Sequence, residues 1–259
     1  MKFTDHVVLV AGGTTGINFA VAKAFAVEGA KVCVLSRSQT NVDTALEELT
    51  RVSASVMGRA ADVRDTIQVS EAVAQVVSAW GDIDILVSGA AGNFVSPLSA
   101  MSSNGFKTVV DIDLLGSFNV MGAVYPHLKK PGASIVNISA PQSQLPTPAQ
   151  AHVCAAKAGI DQLTRTAAME WGPEGIRVNA ISPGPIDDTE GMKRLGPTEE
   201  SRKKWEQSVP LRRYGSKDEI ADAAKWLCSP QASYISGVIL PVDGGWSLGG
   251  SSAMTTALS

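Results

Sequence analysis

The residues best suited to chemistry in this chain are glycines. An apolar run, VVLV at residues 7–10, leads into Gly12, Gly13, Thr14, Thr15, Gly16 and Ile17. Glycine lets a backbone approach a pyrophosphate closely. The free N–H groups and positive dipole end of the helix that follows then hold the negative charge. The spacing is Gly12-x-x-x-Gly16-x-Asn18 rather than the commoner G-x-G-x-x-G. A ligand-free strand–helix turn has similar composition, so position in the chain has to decide between the two.

Three further positions speak to the same ligand. Arg37 stands between Ser36 and Ser38, just past an apolar run at 31–35. Sites that prefer NAD carry an acid there to bind the ribose hydroxyls, whereas an arginine pairs with a 2′-phosphate. Arg37 therefore favours NADPH, with a solvated surface arginine as the alternative. Asp62 suits either the adenine amino group or the cap of a following helix. The run Gly89-Ala90-Ala91-Gly92 suits either a backbone passing close to a ribose or a plain loop.

These residues all need a frame. Apolar runs at 7–10, 31–35, 56–60, 83–87, 134–138, 177–181 and 238–241 read as strands. Helical spacing covers 41–52, 66–80, 104–128, 150–171 and 218–228, and an irregular charged segment runs from 183 to 210. Strands alternating with helices, several of them apolar on both faces, predict an α/β Rossmann-type, doubly wound parallel sheet of about seven strands flanked by helices. No linker or repeat divides the chain, so residues 1–259 are expected to form a single domain. The ligand crevice of such a sheet lies at the carboxyl ends of its strands.

Composition narrows the partners. A net charge of −3 predicts neither nucleic acid nor an anionic membrane as partner. No apolar run reaches the ~18 residues of a membrane span. The chain enters its first strand within a few residues, which leaves no room for a signal peptide. Cys33, Cys154 and Cys228 are odd in number and far apart, as expected for reduced thiols in a cytosol-like compartment. His6, His127 and His152 lack metal-ligand spacing, so no metal is expected.

Taken together, the Gly12–Gly16 turn, Asp62-Val63, Gly89–Gly92, Lys157, Asn179, Pro183-Gly184 and Asp243-Gly244-Gly245 resemble the short-chain dehydrogenase/reductase family across nearly the whole chain. The catalytic Asn, Ser, Tyr and Lys usual in that family are not all kept. Lys157 stands in place, but Val153 occupies the tyrosine position, Ala140 the serine position (beside Ser139) and Asp113 the asparagine position.

A narrower resemblance covers these departures. Asn93-Phe94, the stretch from Phe106 to Asp113, His152, Glu170-Trp171-Gly172-Pro173 and Pro183-Gly184-Pro185-Ile186 are similar to the peroxisomal-type 2,4-dienoyl-CoA reductases, which also keep Asp and Lys without the tyrosine. The resemblance implies NADPH-dependent reduction of a 2,4-dienoyl-CoA to a 3-enoyl-CoA. A reductase of another activated C=C or C=O bond and a non-catalytic NADP-binding sensor are the competing expectations.

It also implies residue roles. Lys157 would bind the nicotinamide ribose and supply positive charge. Asp113 would orient a water or form a structural ion pair, and Asp243 would help hold that water or shape a turn. His152 would face the site or point outward. Pro183, Gly184, Ile186 and Thr189 would border the nicotinamide. Phe94, Ser102, Ser103, Asn104, Arg194 and Arg64 would contact an acyl-CoA, beneath a covering segment at 186–210 that also carries Lys193. A homotetramer assembled through 104–128 and 150–171 is expected. Residues 255–259 lack a Ser-Lys-Leu-type ending, which suggests the cytoplasm.

Overall fold

A computed structural model describes residues 3–195 and 198–251. Seven strands, β1 (Val7–Ala11), β2 (Lys31–Ser36), β3 (Val56–Ala60), β4 (Ile85–Ser88), β5 (Ser134–Ile138), β6 (Arg177–Pro183) and β7 (Ile239–Val242), form one sheet in the order β3-β2-β1-β4-β5-β6-β7. Every pairing is parallel. All carboxyl ends therefore lie on one edge, and the strand order reverses between β1 and β4. Val8 shows how the centre is built: it faces Val32 on one side and Ile85 on the other.

Two apolar cores follow from burial on both faces. On one face Val8, Val10 and Val34 pack with Phe25 of α1 (Gly16–Val27) and Leu227 of α9 (Lys217–Cys228). On the other, Leu9, Leu35 and Leu86 pack with Val73 of α3 (Thr66–Trp80) and Val124 of α5 (Gly116–Val124). Each fully buried side chain of this size contributes roughly 1.5–3 kcal/mol. Helices α2 (Gln39–Leu49) and α6 (Ala151–Trp171) complete the two layers.

Two expectations need correction. The helix expected over 104–128 is broken into α4 (Ser103–Val110), a π turn at Asp111–Leu115, and α5. The extra residue of a π turn alters the phase of the side chains. Gly116 permits close packing there, because a Cβ would come within 2.5 Å of Val63 Cγ2. Pro126 lies just beyond α5, where the residue before a proline disfavours helix, and Tyr125–His127 is a 3₁₀ turn.

The segment expected to be irregular to residue 210 holds two helices, α7 (Glu190–Leu195) and α8 (Glu199–Ser208). Helical pairs at i,i+4 support α8: Lys203 with Glu199 at 2.9 Å and Lys204 with Glu200 at 2.7 Å. Residues 196–197 of the covering segment and residues 255–259 lie outside the described residues. Among the described residues, no helix is long and apolar enough to cross a membrane.

Candidate active site

At the switch point, the strand ends open into a cleft of about 320 Å³. Gly12, Thr14 and Thr15 follow β1, Arg37 follows β2, Asp62 and Val63 follow β3, and Gly89 to Gly92 follow β4, and all of them line it. Gly12 has φ +72°, and a Cβ there would stand 2.8 Å from the Ala90 backbone. The turn and the loop after β4 therefore touch backbone to backbone. Thr15 begins α1 without a side-chain cap, and the first turn carries no acid. The unpaired N–H groups of α1 are thus left for an external anion. Free donors, a tight glycine turn and Arg37 at one end suit a dinucleotide phosphate. Gly13, Gly16 and Ile17 do not line the cleft. Gly13 donates to Leu35 O at 3.2 Å, Gly16 turns the chain at φ +59°, and Ile17 packs on the core.

Asp62 is held by Arg64, whose Nε lies 2.9 and 3.1 Å from the two carboxylate oxygens. The Arg64 hydrogen bonds outweigh burial and keep that carboxyl below its usual range. Arg64 thus sits at the Asp62 end of the cleft. Among the described residues, its hydrogen bonds and ion pair run to Asp62 and not to the elements that carry Phe94 or Arg194.

Asn18, where glycine is usual, is buried and lines the same cleft. Its Nδ2 donates to Gly89 O at 2.7 Å, which ties α1 to the loop after β4. In the sequence Asn18 stands out only as a departure from the glycine pattern. A polar side chain inside an otherwise apolar helix start was the available signal for its place at the cleft.

The π turn carries Asp113 inward until it has no exposed surface. Asp113 Oδ1 accepts the Gly92 N–H at 2.7 Å, and Oδ2 lies 3.4 Å from Lys157 Nζ. Lys157, on α6, is nearly buried and also donates to Ile138 O at 3.0 Å. Burial raises the Asp113 carboxyl above its ordinary value, against the opposing pull of Lys157, the Gly92 N–H and His152. A lysine therefore meets a carboxylate of raised proton affinity beside the loop that borders the cleft.

No phenol joins them among the described residues. Val153 is buried, and Ser139 donates its hydroxyl to Asp161 in the interior. Tyr125 pairs with Glu174, Tyr214 reaches Arg202 O at 3.5 Å, and Tyr234 is fully exposed. Asp243 is occupied by its own turn, accepting N–H groups of Gly245 and Ser247 at 2.9 Å each. Burial raises its carboxyl, but these hydrogen bonds prevail and hold it below the ordinary value.

On the far side, Phe94 packs at the start of α4, where a Cβ on Gly105 would meet its ring at 3.0 Å. Ser102 caps α4 by accepting the Gly105 N–H at 3.1 Å, and Ser103 and Asn104 lie exposed on its first turn. Arg194 of α7 donates to Asn93 O at 2.8 Å, which brings the covering segment onto the loop that carries Phe94. Lys193 pairs with Asp188 at 3.0 Å. Pro183 ends β6, and Gly184 N–H bonds Val242 O at 3.0 Å. Thr189 donates to Ile186 O at 2.9 Å. Ile186 is buried, and it lines a separate cavity of about 550 Å³ beside α9 and β7.

A family model described as enoyl-(acyl carrier protein) reductase matches residues 11–247. The chain belongs to the short-chain dehydrogenase/reductase family. It is an oxidoreductase of that family, which implies a nicotinamide cofactor. It is 45% identical to a Rattus norvegicus protein named peroxisomal 2,4-dienoyl-CoA reductase [(3E)-enoyl-CoA-producing], over 93% of this chain and 83% of that one. It is 38% identical to a Bacillus subtilis protein named probable 2,4-dienoyl-CoA reductase [(2E)-enoyl-CoA-producing], over 92% of this chain and 95% of that one. Among solved structures, a short chain dehydrogenase from Bacillus anthracis superposes with a TM-score of 0.86 at 37% identity, covering 93% of this chain and 96% of that one. Levodione reductase superposes with a TM-score of 0.90 at 32% identity, covering 95% and 99%.

Proposed function

We propose that this oxidoreductase reduces a 2,4-dienoyl-CoA to a 3-enoyl-CoA with NADPH, in the degradation of unsaturated fatty acids. The observation that carries the reading is the buried Lys157–Asp113 pair with no phenol in contact with it. Carbonyl reduction makes an alkoxide that needs a positioned acid. Conjugate reduction instead spreads charge to a thioester oxygen, and the proton goes later to the α-carbon. The names of the rat and Bacillus relatives point to the same substrate class, and the rat name to the 3-enoyl product.

When bound, NADPH would supply the chemistry of hydride donation to the δ-carbon. Gly12, Thr14, Thr15 and the start of α1 would hold its pyrophosphate, Arg37 its 2′-phosphate, and Asp62 and Val63 its adenine. Gly89 and Ala90 would border the ribose, and Pro183, Gly184 and Thr189 the nicotinamide, whereas Ile186, expected there from sequence, lines the separate cavity. Lys157 would bond the nicotinamide ribose and set a positive charge beside the developing dienolate. Asp113 would orient the water that delivers the α-proton, a role suited to a carboxyl of raised proton affinity. Phe94, Ser102, Ser103 and Asn104 would border the acyl thioester, and Arg194 the CoA phosphates, with Arg64 as a second cation.

Residues 1–259 would act as one domain, with 186–210 covering the substrate. A homotetramer is supported by exposed apolar side chains on α5 and α6, Phe118 at 57% and Met169 at 80%, and by exposed Leu115 at the end of the π turn. Three unpaired cysteines suit a reducing cytoplasm.

The test is NADPH oxidation with trans-2,trans-4-hexadienoyl-CoA by wild type and Lys157→Ala, with NADH as control. NADPH-dependent turnover to a 3-enoyl thioester, lost in the variant, supports the reading. Tight NADPH binding without turnover overturns it.

A further inference from the structure

One buried imidazole beside the Lys157–Asp113 pair has no role in the mechanism above. His152, the second residue of α6, has no exposed surface. Its Nδ1 accepts the Val153 N–H at 2.9 Å, one of the N–H groups a helix start leaves without an internal partner. An accepting Nδ1 carries no proton, so the ring proton lies on Nε2. That Nε2 is buried and has no hydrogen-bond partner. Burying a donor without an acceptor costs stability, so such a group calls for an explanation. The ring packs edge-to-face on Phe94, with centroids 4.3 Å apart, and lies within electrostatic range of Asp113.

We infer that the His152 Nε2–H donates to the thioester oxygen of the bound dienoyl substrate and stabilises the charge that develops there. The inference rests on the dienoyl-CoA reading. When a hydride adds at the δ-carbon, the C4=C5 pair moves to C3–C4, the C2=C3 pair to C1–C2, and the carbonyl pair to oxygen. A donor must meet that oxygen, and the side chains at the family's catalytic positions do not offer a free one. Lys157 Nζ is held by Ile138 O and Asp113, Ser139 has given its hydroxyl to Asp161, and Val153 and Ala140 have nothing to give. His152 keeps its proton throughout. The electron pair returns from oxygen when water protonates C2, which restores the carbonyl and leaves C3=C4, and the hydroxide formed takes a proton from bulk solvent. A fixed donor waiting for a developing oxyanion is among the strongest contributions to catalysis, because nothing reorganises as the charge appears. Phe94, which covers the ring from the loop after β4, is the group that yields when substrate enters.

The experiment uses the ternary complex with NADP⁺, which cannot reduce the substrate. Hexadienoyl-CoA is added to wild type, His152→Gln and His152→Leu, and the ultraviolet band of the dienoyl thioester is recorded. A donor on the carbonyl polarises the conjugated system and moves the band to the red. The shift is expected in wild type, kept in the Gln variant, which retains a side-chain N–H donor, and lost in the Leu variant. With NADPH, kcat of the Leu variant should fall about 100- to 1,000-fold while NADPH affinity is unchanged.

A Leu variant that keeps both band shift and turnover overturns the proposal alone. A wild type that neither binds nor reduces the dienoyl thioester overturns the substrate reading and the proposal with it. If the Leu variant fails to bind NADPH and is therefore misfolded, the imidazole ¹⁵N spectrum of wild type decides. A protonated Nε2 and bare Nδ1 support the assignment, and the opposite tautomer overturns it.

Discussion

Lys157 Nζ stands 3.4 Å from Asp113 Oδ2, and both side chains are almost wholly buried. An ion pair this deep gains from mutual attraction but costs the hydration of both charges. Removing one partner strands the other. Lys157→Met should therefore lose about 3–5 kcal/mol of stability. Adding Asp113→Asn, which removes the stranded charge, should recover more than half of that loss without recovering turnover. Urea unfolding midpoints of the two single variants and the double variant, measured beside their activity, separate the structural from the catalytic contribution.

Arg37 sits in the cleft beside Ser36 and Asn41, where a 2′-phosphate would lie. A charge-assisted pair is worth about 1.5–3 kcal/mol, or a factor of about 10–100 in affinity. Arg37→Ser should weaken NADPH binding by that factor and leave NADH binding nearly unchanged. Fluorescence titration with both cofactors checks it, and equal losses for the two would remove Arg37 from the phosphate site.

Gly12→Ala meets two obstacles at once. The backbone there is left-handed at φ +72°, and the new Cβ would press on the Ala90 backbone at 2.8 Å. The loop after β4 must move, which widens the cleft where the glycine turn meets it. The variant should lose roughly 1–3 kcal/mol of stability and most of its affinity for NADPH, as read by thermal denaturation with and without the cofactor.

Glu219 closes the capping box of α9: its carboxylate accepts the Ser216 N–H at 2.8 Å and two N–H groups of Arg213. The Arg213 hydrogen bonds, with those of Ser216, hold the carboxyl down at about 2. A depressed folded value means that the stabilisation is complete above the ordinary glutamate value of about 4.3 and is lost as pH falls toward the folded value. The side chain is 42% exposed, so solvent screening discounts it. Glu219→Gln should lose about 1 kcal/mol near neutral pH. The gap from wild type should narrow as pH drops below about 5 and close only near about 2. A gap that stays constant over that range would show that the charge does not contribute.

Much of the frame is legible in the residues. Apolar runs with no polar alternation specify strands buried on both faces, and the parallel sheet follows from their alternation with helices. Gly12, Arg37, Asp62 and Gly89 lie just past successive strands, so their convergence on the cleft follows once the strands run parallel. The helices α7 and α8 were less visible, because their apolar faces are weak and surface ion pairs carry part of their stability.

The sequence by itself determined the α/β order, the glycine turn after β1 and a valine, not a phenol, at position 153. Only the tertiary structure decided which polar groups meet. Asp113 and Lys157 are far apart in the chain, and one extra residue in the π turn sets the face that Asp113 presents. Helical periodicity assumes 3.6 residues per turn, so it cannot follow a side chain through such an insertion. His152 and Asp243 make the same point in opposite directions. The imidazole is drawn into the interior by a free helix N–H, while the carboxylate is spent on the backbone of its own turn. In each case the choice rests on which unpaired N–H lies within reach, and that is a property of the folded chain.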